Sequence, residues 1–245
     1  MATKNLARTI KTTPRFRSSI PRRAQERITA RHANGAKATV EYFIEGQRVG
    51  ARGFDSEGNL ESDCGWRDGL RHGTSYRIDI PGRLLSATPY SRGLEHGSAR
   101  QWGDDGRLLG TYRMHHGTGI DLWWQETWTK PRRRYLAEVH SLHRGVRHGF
   151  EWWINEDEVS VYVETHWQAG NAHGIERRWN SKRRLRQGYP KYFVAGQQVT
   201  RRQYVKAAAS DASLPPFRKA ENRPRRIFPP DIARHLGDRR RRADS

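Results

Sequence analysis

GLRHG at residues 69–73 recurs as GLEHG at 93–97, as GVRHG at 145–149 and as GNAHG at 170–174. A degenerate copy, MHHGTG, stands at 114–119. The last glycines of the first two copies, Gly73 and Gly97, lie 24 residues apart. Self-similarity at a fixed period of about 20 to 50 residues is typical of repeat architectures, in which each unit packs on its neighbours. The motif therefore predicts a repeat protein.

A second glycine series runs through the same region with the same period. Gly58, Gly82 and Gly106 are spaced by 24 residues, and each is followed two positions later by a leucine. Asp-Gly between alternating segments is a strong hairpin signal, because glycine accepts positive φ at no steric cost. Each unit therefore reads as a β-hairpin, for example with strands at 98–102 and 108–114.

The fifth residue after each repeat glycine is large and apolar. These residues are Ile78, Trp102, Trp124, Ile154 and Trp179. Because the position recurs, we expect their side chains to form one row on one face, which stacked hairpins can bury and a single hairpin cannot. The repeat residues predicted to be structural are Gly73, Gly97, Gly149, Gly174, His72, His96, His148, His173, Trp102, Trp124 and Trp179.

The ends of the array can also be placed. The period decays after Gly119: residues 127–134 look like an insertion, and residues 156–158 and 181–183 stand where a turn glycine is expected. YFIEGQRV at 42–49 is echoed by YFVAGQQV at 192–199, which indicates the first and last hairpins. We therefore predict a mainly β chain. It would be an extended single-layer antiparallel array of β-hairpin repeats at 41–199, with a short C-terminal helix and basic tails.

The pattern G-x-x-H-G, followed by an aromatic strand, a turn glycine and a leucine, resembles MORN repeats. It is most similar to the variant found in bacterial proteins that are often labelled as antitoxin components. The resemblance covers residues 41–199. It implies a non-enzymatic scaffold, since MORN-type repeats serve elsewhere as protein-binding or lipid-associated modules.

The positive charge is concentrated in the flanks of the array. The formal net charge of the chain is +20, of which residues 1–40 carry +9, residues 41–180 carry −2 and residues 181–245 carry +13. All nine tryptophans fall in the nearly neutral middle. We therefore predict a basic, partly disordered N-terminal arm at 1–40 and a basic Pro- and Arg-rich tail within 200–245.

The C-terminal flank begins with a helix signal. Thr200 and Gln203 form a capping-box pattern that predicts a helix at 199–209, and a second short helix is expected at 231–236. Arginines in the two arms could neutralise phosphate groups without reading sequence. The candidate polyanion-binding residues are Arg22, Arg23, Arg225, Arg226, Arg239, Arg240, Arg241 and Arg242.

The remaining chemistry-bearing residues are interpreted as structural. Histidines at 72, 96, 116, 148 and 173 invite a metal hypothesis, but equivalent positions in successive hairpins should lie about 9–10 Å apart, too far to share one ion. We expect them to hydrogen-bond the connecting loops instead. Acidic runs such as 104–105 fall in turns. No catalytic residue, cofactor or metal ligand is predicted, and no phosphate-binding loop or nucleophile elbow is found.

Cysteine usage and hydropathy bear on location. Cys64 is the only cysteine, which excludes an intramolecular disulfide and favours a reducing cytoplasm. No apolar run is long enough to span a membrane. The Arg-, Ser- and Thr-rich N-terminus is interpreted as a basic arm, although a transit peptide has the same composition.

Two functions fit these observations. The first is a scaffold that binds a protein partner, as an antitoxin-like protein or an assembly factor would. The second is a polyanion-binding module whose basic arms contact RNA, DNA or an anionic membrane surface. Neutralisation of a nuclease is disfavoured, because proteins that mimic nucleic acid are acidic and this array is nearly neutral.

Overall fold

The computed structural model describes residues 16–80 and 82–237, and most of them lie in strands. The strands are β1 (Gln25–Arg31), β2 (Lys37–Ile44), β3 (Gln47–Phe54), β4 (Leu60–Arg67), β5 (Leu70–Arg71), β6 (Gly73–Ile78), β7 (Leu84–Ser91), β8 (Leu94–Glu95), β9 (Gly97–Trp102), β10 (Leu108–His115), β11 (Thr118–Glu126), β12 (Arg134–His143), β13 (Val146–Ile154), β14 (Val161–Gln168), β15 (Asn171–Ala172), β16 (Gly174–Arg178), β17 (Lys191–Val194) and β18 (Gln197–Val199). In these ranges the α-helices are α1 (Arg201–Ala208) and α2 (Pro230–Ala233). No helix in the described part of the chain is long and apolar enough to cross a membrane.

The strands form one antiparallel meander, in which each hairpin pairs with the hairpins before and after it in the chain. In the described ranges β1 pairs with β2, β18 pairs with β17, and the sheet does not close. The predicted mainly β array of hairpins is therefore confirmed. It begins earlier than predicted, at Gln25 instead of residue 41, because Ile28 pairs with the fully buried Val40. Charged neighbours hide this single apolar residue in the sequence.

Two-residue turns connect successive strands at one end of their length. This side of the sheet, formed by the strand ends, is called the turn edge. Asp68 and Gly69 both have positive φ, 51° and 74°, which is the signature of a type I′ turn. The same pair of angles occurs at Glu45-Gly46, Arg92-Gly93, His116-Gly117, Arg144-Gly145, Ala169-Gly170 and Ala195-Gly196. The first glycine of each repeat motif is thus a turn residue. The last one, such as Gly73 with φ 86°, follows a kink that divides the return strand.

Backbone hydrogen bonds join successive turns into a ladder. The N–H group of Gly93 donates to the carbonyl oxygen of Arg71 at 2.9 Å, and that of Gly117 donates to Glu95 at 2.7 Å. Gly170 and Gly196 repeat this contact with the carbonyl groups of Arg147 and Ala172. From the hairpin of Gly93 onward, each hairpin is therefore held to the one before it at the turn edge as well as along its strands.

The repeat histidines reinforce the ladder. The Nδ1 atom of His96 accepts the backbone N–H of His116 at 3.2 Å, and Nδ1 of His173 accepts that of Ala195 at 3.0 Å. The donors are turn residues with positive φ. His96 and His173 thus hydrogen-bond the neighbouring connecting loop, as predicted for the repeat histidines.

Longer loops connect the strands at the opposite edge, here called the loop edge. Gly58, Gly82 and Gly106 have φ of 88°, 91° and 74° there, as the second glycine series predicts. Glu158 and Arg183 adopt the same conformation, φ 55° and 58°, in the copies that lack the glycine. The loop geometry therefore persists where its sequence signal is lost, at the strain that a side chain carries in this region.

One face of the sheet is covered by the chain's own flanks, and we call it the covered face. The register places Leu122, Val139, Trp152, Glu164 and Arg177 in one row across β11 to β16. The predicted row is buried as well, with Ile78, Trp102, Trp124, Ile154 and Trp179 all below a tenth exposed.

The C-terminal flank follows this face back from the last hairpin. Helix α1 begins at the predicted capping box, and its Tyr204 is fully buried against Tyr192. Farther on, Phe228 packs edge-on against Trp152 at 5.6 Å, and the Trp179 indole N–H donates to the Asn222 carbonyl oxygen at 2.8 Å. Residues in the predicted tail are thus an integral layer of the fold.

The N-terminal flank covers the same face at the other end. The Ser18 hydroxyl donates to the buried Asp63 carboxylate at 2.7 Å, and Ile20 packs with Val40 and Tyr42. A Cβ at Gly50 would lie 2.3 Å from Ile20, so glycine is needed there for the flank to approach. Gly50 in β3 and Gly65 in β4 leave room for Ile20 and Ser19, so the flank lies directly on the sheet.

Candidate functional site: the open face of the sheet

The opposite face, here called the open face, carries aromatic and acidic side chains without a covering layer. Trp123, Glu138, Trp153, Val163 and Arg178 form one row of register across β11 to β16. All five are partly exposed. In the part of the chain that the structure describes, hydrogen bonds, ion pairs and ring contacts of residues 16–20 and 201–237 reach the covered face or the edges, but not this row.

Carboxylates fix the orientation of the indole rings on the open face. The Trp123 indole N–H donates to Asp121 Oδ2 at 2.9 Å, and the Trp153 N–H donates to Glu151 Oε1 at 2.9 Å. The Trp167 N–H donates to the other oxygen of Glu151 at 2.7 Å. The indole N–H groups are therefore occupied, and the rings present their apolar faces.

Arginines stack on the aromatic rings in a repeating pattern. The Arg48 guanidinium lies 3.9 Å from the Trp66 ring centroid, and Arg71 and Arg147 lie 5.4 Å from the rings of Tyr90 and Trp167. Each arginine is the second residue after a turn glycine, and each aromatic partner stands two residues before the next turn in the sheet. Both the arginine and the aromatic residue stand at fixed positions of the repeat, so their recurrence is visible in the sequence. Their contact is not, because the two partners belong to different hairpins.

His140 lies among three carboxylates at the centre of the open face. Its Nδ1 is 3.4 Å from Asp121 Oδ2, and its Nε2 is 3.6 Å from Glu138 and 3.8 Å from Glu151. The side chain is 9% exposed, and among the described residues its Nε2 atom has no hydrogen-bond partner. His140 lies outside the repeat motif, so sequence reasoning missed this cluster.

The two glutamates of the cluster are held differently. Burial raises the pKa of Glu138, and the nearby carboxylates add to this effect, while His140 opposes it. Burial also acts on Glu151, but hydrogen bonds from Trp153 and Arg147 outweigh it and hold the pKa of Glu151 below its usual value. Glu151 is therefore satisfied within the chain, whereas Glu138 lacks a strong cationic partner.

A groove of about 660 Å³ runs beside this cluster. Arg147, Glu151, Trp153, Tyr162, Trp167 and Arg178 line it. No hydroxyl or thiol group of the described residues hydrogen-bonds His140, whose one hydrogen bond is with Asp121. The groove therefore combines flat apolar rings with fixed charges, an arrangement suited to recognition.

The predicted polyanion-binding arginines do not form one site. Arg22 and Arg23 are exposed beside β1, and Arg225 is exposed on the C-terminal flank. In contrast, the Arg226 side chain is only 9% exposed, and its Nε donates to Glu164 Oε2 at 2.5 Å on the covered face. The guanidinium of Arg226 is thus part of the fold. The run Arg239 to Arg242 lies outside the described residues.

The predicted structural residues lie where the repeat places them, with one correction. Gly73, Gly97, Gly149 and Gly174 all have positive φ. His72, His96 and His173 precede them at the kink between two strands, whereas His148 lies within the continuous strand β13. His116 was assigned to the same position, but it has φ 46° and occupies the turn, equivalent to Asp68. The copy there is shortened to Gly117-Thr118-Gly119, which shifts the alignment.

No protein-family model matches the chain, and no curated protein matches its sequence. The resemblance to MORN repeats therefore rests on the motif alone and stays a prediction. The architecture of stacked hairpins is established by the structure itself.

Proposed function

We propose that this protein is a non-enzymatic scaffold that binds a protein partner through the open face. The observation that carries the proposal is the difference between the two sides of one sheet. The flanks fill one side with Phe228, Ile232 and Ile20, while the other side keeps a row of partly exposed tryptophans. The apolar rings of the open face can therefore be buried by a second molecule, whereas those of the covered face are already buried by the flanks.

The side chains of the open face are those that dominate binding energy in protein interfaces. Tryptophan, tyrosine and arginine are enriched among the residues whose truncation weakens complexes most. Here the indole rings of Trp123, Trp153 and Trp167 are oriented by hydrogen bonds before any partner arrives. Such preorganisation lowers the entropy that is lost on binding.

The charges of the site select a basic partner segment. Glu138 and Glu151 lie near the Nε2 atom of His140, which has no hydrogen-bond partner among the described residues, while Asp121 lies near its Nδ1 atom and Arg147 pairs with Glu151. Arg147 also stacks on Trp167, so an indole of this face already accepts a guanidinium group. The proposed partner therefore presents an arginine or lysine to Glu138, flanked by apolar side chains on the indole rings.

A random peptide library, selected on phage against the full-length chain, tests this proposal. We expect the selected peptides to contain arginine or lysine next to aromatic residues. In fluorescence titrations, Trp153→Ala and Glu138→Gln should each weaken the binding of these peptides about tenfold or more.

Two control variants keep the result specific. Trp128 is 90% exposed at the loop edge and Glu57 is exposed at another loop, so Trp128→Ala and Glu57→Gln should leave the affinity unchanged. Peptides that bind the open-face variants as tightly as the unmodified chain would overturn the proposal.

Polyanion binding is the second candidate, and the exposed pair Arg22 and Arg23 favours it. Neither residue takes part in an ion pair with the described acidic side chains. Contacts of this kind are steep in salt and tolerant of sequence. A salt titration of polyuridylate and of phosphatidylserine vesicles, with full-length protein and with the Arg22→Glu, Arg23→Glu double variant, tests it. Binding that the double variant retains at every salt concentration would exclude this role for the pair.

A further inference from the structure

Three imidazole rings meet at the turn edge, next to the junction of β10 and β11. His96 stands at the kink before β9, His115 ends β10, and His116 is the first residue of the following turn. The rings of His96 and His116 are stacked with centroids 4.1 Å apart, and His115 lies 4.8 Å from His116 and 5.2 Å from His96. One nitrogen atom from each ring lies within 4.8 Å of the others.

The short distances in this cluster differ from the spacing that the repeat predicts for its histidines, a spacing that argues against a shared metal ion. Histidines at equivalent positions of neighbouring hairpins were expected about 9–10 Å apart. His116 is not at the equivalent position, because the shortened copy moves it into the turn. The ladder contact between His116 N and His96 Nδ1, 3.2 Å long, then brings the two rings together.

We propose that His96, His115 and His116 form a binding site for a borderline divalent transition metal such as Zn²⁺ or Cu²⁺. Imidazole nitrogen is a preferred ligand for these ions, and three protein ligands with one open position is a common zinc arrangement. Zinc binds imidazole at about 2.0–2.1 Å, so the three nitrogens must approach to about 3.4 Å of one another. His115 and His116 are exposed and can rotate through this distance.

The hydrogen bond at His96 defines what changes when the metal binds. The Nδ1 atom of His96 accepts a hydrogen bond from the backbone N–H of His116, so in the neutral ring the Nε2 atom carries the hydrogen. Coordination by either nitrogen uses up this contact, because Nδ1 either binds the metal or receives the proton displaced from Nε2. The His116 N–H group then turns to solvent, which the exposed turn allows.

The position of the site gives the metal a structural consequence. β10 and β11 are paired at only two residue pairs, Met114 with Gly119 and His115 with Thr118, whereas β11 and β12 are paired along their length. Beyond these pairs the side-chain amide of Gln101 bridges to the backbone of Trp124 at 2.7 and 2.9 Å. A metal on the three histidines would therefore clamp a junction with few paired residues at its turn edge.

Metal titration of untagged full-length protein tests the site. We expect one Zn²⁺ per chain by calorimetry, and a tetrahedral absorption spectrum when Co²⁺ replaces it. His115→Ala and His116→Ala should each weaken Zn²⁺ binding about tenfold or more. Hydrogen exchange at residues 114, 115 and 117–119 should slow on addition of Zn²⁺ in the unmodified protein and not in these variants, while the freed N–H group of His116 should exchange faster.

The neighbouring repeat offers a matched control. His143 and His148 also lie at the turn edge with ring centroids 5.6 Å apart, but they are two rings and not three. The His143→Ala, His148→Ala double variant should bind Zn²⁺ with unchanged affinity. Equal loss of binding in this control, or less than a stoichiometric amount of Zn²⁺ bound by a protein with an unchanged far-UV spectrum, would overturn the proposal.

Discussion

The two faces of the sheet carry similar side chains, yet the chain itself completes only one of them. On the covered face, Glu164 receives Arg177, Arg226 and the Trp152 indole N–H, and it is 3% exposed. On the open face, Glu138 lies 3.6 Å from His140 and, among the described residues, forms no ion pair with an arginine. Both groups are carboxylates beside tryptophans. The hydrogen-bonding positions of Glu164 are filled by residues of the chain, whereas those of Glu138 are filled only in part. A carboxylate that its own chain leaves unmet is available to another molecule.

Trp152 and Trp153 are neighbours in β13 and lie on opposite faces, so they allow the most direct comparison of the two faces. Trp152 is 7% exposed, packs on Phe228 and bonds to Glu164, whereas Trp153 lies on the open face. Trp152→Ala should lower the free energy of unfolding by about 3–5 kcal/mol, and Trp153→Ala by about 1 kcal/mol. Urea denaturation measures both. Equal losses would mean that the open face is as tightly packed as the covered one.

Removal of Arg226 should detach part of the C-terminal flank. Arg226→Ala leaves the buried Glu164 with Arg177 alone, so we expect a loss of about 3 kcal/mol, at the low end for a broken buried ion pair. Proteolysis within 223–237 should accelerate. The adjacent Arg225 is exposed, and Arg225→Ala should change the stability by less than about 0.5 kcal/mol. A flank that stays protease-resistant in Arg226→Ala would show that apolar contacts alone hold it.

Acid should weaken the covered face by protonating Glu164. Burial raises the pKa of Glu164, but Arg226, Arg177 and Trp152 outweigh burial and hold it below the usual 4.5. The stabilisation is therefore present above the unfolded pKa and is lost as pH falls through the folded pKa. The stability difference between the unmodified protein and Glu164→Gln should shrink below about pH 4.5. A difference that stays constant from neutral to acidic pH would contradict this assignment.

The smallest expected effect is on the open face. The pKa of Glu138 is raised by burial, so its charged form opposes folding at neutral pH. Glu138→Gln should raise the free energy of unfolding by about 0.5 kcal/mol at neutral pH. The gain should shrink as the pH falls below the folded pKa and disappear below the unfolded pKa, where the glutamate is neutral in both states. Destabilisation by this substitution would mean that Glu138 is already satisfied within the chain.

Positions repeated within each hairpin could be predicted from the sequence. The turn glycines, the buried fifth position and the capping box of α1 are local signals, because each depends on residues near it in the chain. Glu158 shows how such a signal is lost while the geometry stays. Its positive φ is offset by its carboxylate, which accepts the N–H groups of Leu136 at 2.9 Å and Gly237 at 2.8 Å.

The acidic cluster of the candidate site could not be predicted, because its members come from different hairpins. Asp121, His140 and Glu151 belong to three strands and share no motif, so only the register brings them together. Arg226 looked like one more charge of a basic tail for a similar reason. Its burial depends on Glu164, which precedes it by 62 positions in the chain.

The ladder along the turn edge constrains how such a chain can change in length. From Gly93 onward, each turn glycine bonds to a carbonyl group of the hairpin before it, so a residue gained or lost within a turn would break that bond. The opposite edge is free of this constraint, as the insertion at 127–133 shows, where the Thr127 N–H still closes on the Arg133 carbonyl oxygen at 2.9 Å. A gene for this protein can therefore grow by duplicating whole hairpins or by lengthening loops at one edge. Single-codon insertions and deletions at the other edge would be removed by selection.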